Sequence, residues 1–407
     1  MEAPPSRRGD RVFKTRRRDT NLDLSETQKI IQETARNFAK TELEPVAAQL
    51  DRDGDQKVFL KNLKEIARLG LMGINVKGMY GGTEAGVVAF SLAVTEIARA
   101  CASTAVPVSV NNMVCEVIQA IGSEEQKLAY IPKICSGEYY AGGFGLTETG
   151  AGSDAAAVQT SAVLDGNEWV LNGSKMFISS AEYAGVFVVW AVTDKKAKKG
   201  GGISTLLVEN GTPGFTIGKA EHKMGQCSSV TNELIFEDCR IPRTALMGKL
   251  NGGFRVAMGE LAGGRIGIGS LGLGIGLAAM DCATRYAIKR KQFDQSITDF
   301  QAIQWMIAES YTELEAARLL LMSAASKKEQ GRLFSREASM AKYYATEAAE
   351  RACYNAVQIL GGHGYSSKYP VERYARDVRV TSIYEGTNQI QRMIIARDIL
   401  NSFRETA

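Results

Sequence analysis

A change of texture, from helical periodicity to short strand-like runs and back, constrains this 407-residue chain more than any single residue does. Apolar residues at three-and-four spacing begin after Ser25, which is placed to cap a helix. Ile30, Ile31, Thr34, Ala35 and Phe38 then share one face until Pro45 interrupts it. Similar patterns over 59–69, 89–100, 113–121 and 124–135 make the first region all-helical. Residues 161–164, 169–171, 186–192, 204–208 and 232–236 are instead β-type runs, bounded by turn pairs such as Asp165-Gly166, Asn172-Gly173 and Pro213-Gly214. Helical blocks return from Phe254, chiefly 261–288, 300–328, 336–360 and 389–401, and predict a four-helix bundle. The expected fold class is α+β and multidomain. A basic, disordered extension (1–21) precedes an α-helical domain (22–140), a middle β domain (141–250) and a helical bundle (251–407).

Charge narrows the function. The 49 Lys and Arg outnumber 45 Asp and Glu, but Arg7, Arg8, Arg11, Lys14, Arg16, Arg17 and Arg18 all lie in the first 20 residues, beside only Glu2, Asp10 and Asp19. That leaves 42 basic and 42 acidic side chains in the body, which has no broad field for a phosphate backbone; no nucleic-acid partner is expected for it. The arm lacks an apolar h-region and reads as a bacterial extension or an organellar transit peptide. The expected location is the bacterial cytoplasm, or the mitochondrial matrix in the second case. The 15 residues 266–280, with five glycines, are too short an apolar run for a membrane span. Seven cysteines without C-x-x-C, and two distant histidines, His222 and His363, give no disulfide frame and no metal site. Chemistry therefore falls to a carboxylate or an organic cofactor.

Four segments compete for that role. Gly267, Gly269 and Gly272 satisfy G-x-G-x-x-G, but within a helical block, and position 292, where an acidic residue belongs, is Gln; close helix packing is the better reading. The hydroxyl-rich loop 146–154 offers Thr147 and Ser153 and backbone N–H groups to a polar ligand, or is an ordinary connection. Gly361-Gly362-His363-Gly364 reads as a helix C-terminal turn or as a close approach to a cofactor. Glu385, before the last amphipathic helix, is by itself a solvated carboxylate.

Taken together, GLTETGAGSD (145–154), WVLNGSKMFI (169–178), LIFEDCRIP (234–242), QILGGHGY (358–365), YPVER (369–373) and IYEGT (383–387), in this order, resemble the acyl-CoA dehydrogenase family over residues 22–398. The resemblance implies a helical domain, a β-barrel-like middle domain and a C-terminal four-helix bundle. It implies FAD-dependent α,β-dehydrogenation of an acyl-CoA to a trans-2-enoyl-CoA in fatty-acid or amino-acid catabolism, a homotetramer, and electrons passed to an electron-transfer flavoprotein. Glu385 matches the catalytic base. The family's other base position matches Gly264, which cannot serve, and this is similar to short-chain members. Phe144, Leu146, Thr147, Gly152, Ser153, Phe177 and Ser179 match flavin contacts, as do Thr387 and Gln389. Arg290, Phe293, Gln358, Gly361 and Gly362 match groups that a neighbouring subunit supplies to FAD. Ser153, Gly264, Arg265, Tyr384, Gly386 and Arg397 match substrate or CoA positions.

Three positions depart from the family pattern: Phe177 stands where Trp is frequent, Cys227 where Arg is frequent, and Lys368 where an acidic residue is usual. Short or branched acyl groups are expected, with aromatic and dicarboxylic ones as alternatives. A flavin monooxygenase or oxidase on the same scaffold is a second hypothesis, against which Glu385 argues. A DNA-associated flavoprotein, resting on the basic arm alone, is a third.

Overall fold

Ser25 does cap the first helix: its hydroxyl accepts from the backbone of Gln28, whose side chain returns the bond. The computed structural model describes residues 24–404; the expected extension 1–21 lies outside the described residues. The first helical region comprises α1 (Glu26–Phe38), α2 (Ala47–Asp53), α3 (Gln56–Arg68), α4 (Gly86–Ala100), α5 (Ala102–Ile121) and α6 (Glu124–Cys135). Before Pro45, α1 widens into a π-helical turn, Ala39–Leu43.

The middle region holds β1 (Ala141–Gly145), β2 (Ser161–Asp165), β3 (Glu168–Ser179), β4 (Ala184–Val192), β5 (Ile203–Glu209), β6 (Phe215–Ala220), β7 (Thr231–Pro242) and β8 (Leu246–Met247). They form one eight-stranded sheet in the order β6-β7-β3-β2-β4-β5-β8, with β1 added parallel to β4. Alternation of side chains explains how this sheet joins the rest. On β4, Val186, Val188 and Trp190 pack with Val114, Val117 and Ile118 of α5, while Phe187, Val189 and Ala191 pack with Phe215, Leu234 and Phe236 inside the sheet. A strand buried on both faces reads as an unbroken apolar run, as 186–192 does.

The last region is α7 (Gly253–Lys289), a small hairpin β9 (Lys291–Gln292) and β10 (Gln295–Ser296), then α8 (Gln301–Glu329), α9 (Ser335–Leu360), α10 (Val371–Val378) and α11 (Asn388–Arg404). It does not have a core to itself. Ile31, Phe59, Phe90 and Ile97 from the first region share one continuous apolar cluster with Ile266, Leu271, Leu314, Leu321 and Ile359. By length and composition α7 is apolar enough to cross a membrane, yet 83% of its apolar 18-residue window is buried inside the fold. Its G-x-G-x-x-G run packs helices. A Cβ on Gly269 would stand 2.7 Å from Leu321, and one on Gly272 would stand 3.4 Å from Thr346.

Candidate functional site

The segment 383–387 lies between the turn that follows α10 and the start of α11, where the Thr387 hydroxyl accepts the Ile390 N–H and begins the helix. Glu385 adopts φ +55° and Gly386 φ +85°, two consecutive left-handed residues. For a non-glycine residue this backbone is costly and persists only where the surroundings hold it. It turns the carboxylate toward α7, where a Cβ on Gly264 would lie 2.7 Å from Glu385 Oε2 and 2.9 Å from Met113 Sδ of α5. Glycine at 264 therefore leaves the carboxylate its space.

Glu385 Oε2 is buried and has no hydrogen-bond partner among the described residues. Two cations flank it. Arg265 is 4% exposed; its Nη1 donates to Ser339 Oγ at 3.3 Å and its Nε is unpartnered. Lys342 of α9 is wholly buried and donates to Gly386 O and Asn388 Oδ1, both at 3.0 Å. Burial pushes the Glu385 carboxyl up to about 7, against the pull of Arg265 and Lys342. Burial likewise pulls Lys342 down to about 7, opposed by Glu385 and reinforced by Arg265. A carboxylate so placed can take a proton near neutral pH, which an exposed one cannot do well. Tyr384 beside it is fixed by Gln226, whose Nε2 donates to the phenol oxygen at 3.3 Å, and burial raises that hydroxyl.

A second surface forms where β1 meets β3. Glu148 accepts from Gln159 N at 2.6 Å, Thr160 N at 2.9 Å and the buried ammonium of Lys175 at 2.7 Å. Lys175 also donates to Leu146 O, and Met176 N donates to Thr147 O at 2.8 Å. These bonds fasten the loop 145–154 to β3 and leave Gly152 and Ser153 exposed. Phe177 occupies a bulge of β3 at φ +59°, which turns its ring outward; it is 61% exposed. Phe144 is half-buried against Trp190, 4.4 Å between ring centres, and Ser179 ends the strand opposite Thr231.

The third group is remote from the first. Arg290 follows the last turn of α7, 26 residues beyond Gly264, or roughly 39 Å at 1.5 Å per residue. With Gly361 and Gly362 it lines a cavity of about 550 Å³. Space around both glycines is open, and Gly361, at φ +58°, ends α9 as a glycine turn. Phe293 stands at the tip of the β9–β10 hairpin, 87% exposed, and Gln358 is exposed nearby in sequence. A cavity of about 900 Å³ shares Tyr286, Arg290 and His363 with the smaller one; neither includes Glu385. Gln389 and Arg397 are exposed on α11. The structure thus brings Gly264, Arg265, Tyr384, Glu385 and Gly386 together and sets Arg290, Phe293, Gly361 and Gly362 far away. Among the described residues no cluster of His, Cys, Asp or Glu could hold a metal ion.

Sequence reasoning missed Lys342, Asn388, Gln391, Met113 and the Lys175–Glu148 pair. Lys342 had a signal, since it interrupts the buried alanine face Ala338, Ala341, Ala345 and Ala349 of α9. Glu148 and Lys175 stand inside the motifs 145–154 and 169–178 without being singled out there, and Met113, Asn388 and Gln391 had no signal.

Residues 25–138, 143–239 and 251–400 match the family models described as acyl-CoA dehydrogenase N-terminal, middle and C-terminal domains. The chain is 45% identical over 386 residues to the mitochondrial short-chain specific acyl-CoA dehydrogenase of Mus musculus, covering 94% of this chain and 92% of that one. It is 43% identical over 394 residues to the acryloyl-CoA reductase (NADH) of Anaerotignum propionicum, covering 96% and 98%. The solved butyryl-CoA dehydrogenase from Megasphaera elsdenii is 38% identical and superposes with a TM-score of 0.90 over 93% of this chain and all of that one. An acyl-CoA dehydrogenase complexed with FAD from Bacillus anthracis is 31% identical, with a TM-score of 0.88 over 94% of this chain and 68% of that one.

Proposed function

Because the chain belongs to the acyl-CoA dehydrogenase family of oxidoreductases, we propose that it removes the α and β hydrogens of a short or branched acyl-CoA, with Glu385 as the base. The observation that carries this is the partnerless Oε2 of Glu385, buried against Gly264 and flanked by two cations that do not touch it. The residues present fit FAD: an outward phenyl ring at Phe177, open backbone at Gly152, Gly361 and Gly362, and a cavity beside Arg290. Phe144, Leu146, Thr147, Phe177 and Ser179 would hold the flavin ring. Bound FAD supplies the acceptor for the β-hydride.

Glu385 Oε2 takes the α-proton, while its own backbone N–H polarises the thioester oxygen and stabilises the enolate that forms. Arg265 and Lys342 offset part of the burial that raises this carboxyl to about 7, so that it can ionise near neutral pH. The 45% identity to a short-chain specific acyl-CoA dehydrogenase favours a short acyl group. Arg290 matches a group that a neighbouring subunit supplies to FAD, and its place roughly 39 Å along α7 from Gly264 supports that reading. Sharing of this kind requires at least a dimer and accords with a homotetramer. The electron partner is an electron-transfer flavoprotein. Seven free thiols accord with a compartment that keeps cysteines reduced.

The test is anaerobic. The yellow protein should bleach with butyryl- or isobutyryl-CoA faster than with longer or aromatic thioesters. A Glu385→Gln variant that bleached as fast as its parent would remove the base assignment. The 43% identity to an acryloyl-CoA reductase favours a second reading, the same chemistry run in reverse with protonated Glu385 as the donor. Re-oxidation of the reduced protein by an enoyl-CoA, faster than bleaching by the saturated thioester, would support it.

A further inference from the structure

The backbone that presents Glu385 is stapled from two helices. Gln391 of α11 donates its side-chain N–H groups to Glu385 O at 3.2 Å and to Gly386 O at 2.8 Å. Lys342 of α9 reaches the same Gly386 oxygen at 3.0 Å. Asn388 accepts from Lys342 and donates to Thr346 Oγ1 at 3.0 Å, and Thr346 returns to Lys342 O at 2.9 Å. Lys342, Thr346, Asn388 and Gln391 are all buried. The fit at 386 is tight, since a Cβ there would stand 2.7 Å from Gln391 Nε2. Both left-handed residues therefore have their carbonyl oxygens held, which is what keeps a strained backbone in one state.

Two hydrogen bonds to neutral acceptors do not by themselves offset the cost of burying an ammonium. The charge thus calls for a use beyond fastening. The charged and titratable groups facing the carboxylate are Arg265 from α7, Lys342 from α9 and the neighbouring Tyr384; Met113 from α5 is neutral. Lys342 itself faces Glu385, Arg265 and, on its own helix, Glu347 and Glu350. Accepting Glu385 as the base, we infer that Lys342 and Gln391 are positioning residues. Gln391 fixes the carbonyls that aim the carboxylate, and Lys342 adds the counter-charge that lets it ionise.

The measurement is the pH dependence of anaerobic bleaching in the flavin-loaded enzyme, with kcat and KM separated. Lys342→Met should move the acid limb to higher pH. Below the limb, bleaching should then slow about tenfold for each pH unit the limb moves, with the alkaline plateau and KM much less affected. Lys342→Arg should return the limb toward its original position. Gln391→Ala should lower kcat at every pH without moving the limb. If Lys342→Met does not hold flavin, the isosteric Asn388→Asp sets a carboxylate against Lys342 and should move the limb in the same upward direction. A limb left in place by whichever of these two variants folds would overturn the role of the charge. An unchanged kcat in Gln391→Ala would overturn the aiming role. Either result with Glu385→Gln inactive fails this inference alone, whereas an active Glu385→Gln fails the base assignment on which it rests.

Discussion

Among the described residues two lysines lie wholly inside, Lys175 in the β domain and Lys342 in the helical bundle, and the fold treats their charges differently. Lys175 meets the Glu148 carboxylate at 2.7 Å. Lys342 meets only a carbonyl and a side-chain amide, and among the described residues no hydrogen bond joins it to Glu385. Burial lowers both ammonium groups, Lys175 to about 8 against the attraction of Glu148 and Lys342 to about 7. The difference teaches what separation does. A carboxylate in direct contact with its cation becomes a fixture, and burial of Glu148 is outweighed by Lys175 and its hydrogen bonds, which hold that carboxyl below the usual range. A carboxylate that feels a cation without touching it stays basic enough to accept a proton.

The comparison can be broken in several ways. Glu385→Gln should slow anaerobic bleaching by about 10²- to 10⁴-fold, the usual contribution of a general base; a smaller loss would make its separation from Lys342 irrelevant. Lys175→Met strands Glu148 in the interior and should cost about 3–5 kcal/mol in urea denaturation. Lys175→Met with Glu148→Gln should recover part of it, and strict additivity would show that the pair does not fasten the loop. Gly264→Ala puts a methyl group 2.7 Å from Glu385 Oε2. It should lower kcat by about tenfold to a hundredfold through displacement of the base, with little change in melting temperature. Because Glu385 must be ionised and its carboxyl is raised to about 7, kcat/KM should fall as pH drops through that value, about tenfold per pH unit below it. A limb near 4.5 would mean the site is wetter than its burial indicates. Deleting residues 1–23 should leave bleaching unchanged and remove any salt-dependent DNA binding.

The α, β, α order and many helix limits were legible because capping and apolar period are local, as at Ser25; the start of α5 at Ala102, eleven residues before the period read from 113, was not. Strand β1 was not, since Ala141–Gly145 is glycine-rich and owes its extension to Val186, Val188 and Val189 on the neighbouring strand. Nor was the shared core of the two helical regions, because partners as distant in sequence as Phe90 and Gly267 leave no mark on either segment's periodicity. At the site, Glu385 and Gly264 were found through motifs, but the +55° backbone and its supports at Gln391 and Lys342 depend on three separate elements meeting.

Nine glycines in α7 make it a poor helix in isolation, each costing about 1 kcal/mol relative to alanine in helix propensity. It gains order only when α4 and α5 on one side and α8 and α9 on the other are already present to close on it. The chain must therefore bring its first and last thirds together across the whole β insertion before its central helix is stable, an assembly dominated by distant contacts and correspondingly slow. Once formed, α7 should exchange its amide hydrogens only through global unfolding, so the helix weakest by itself becomes the one released last.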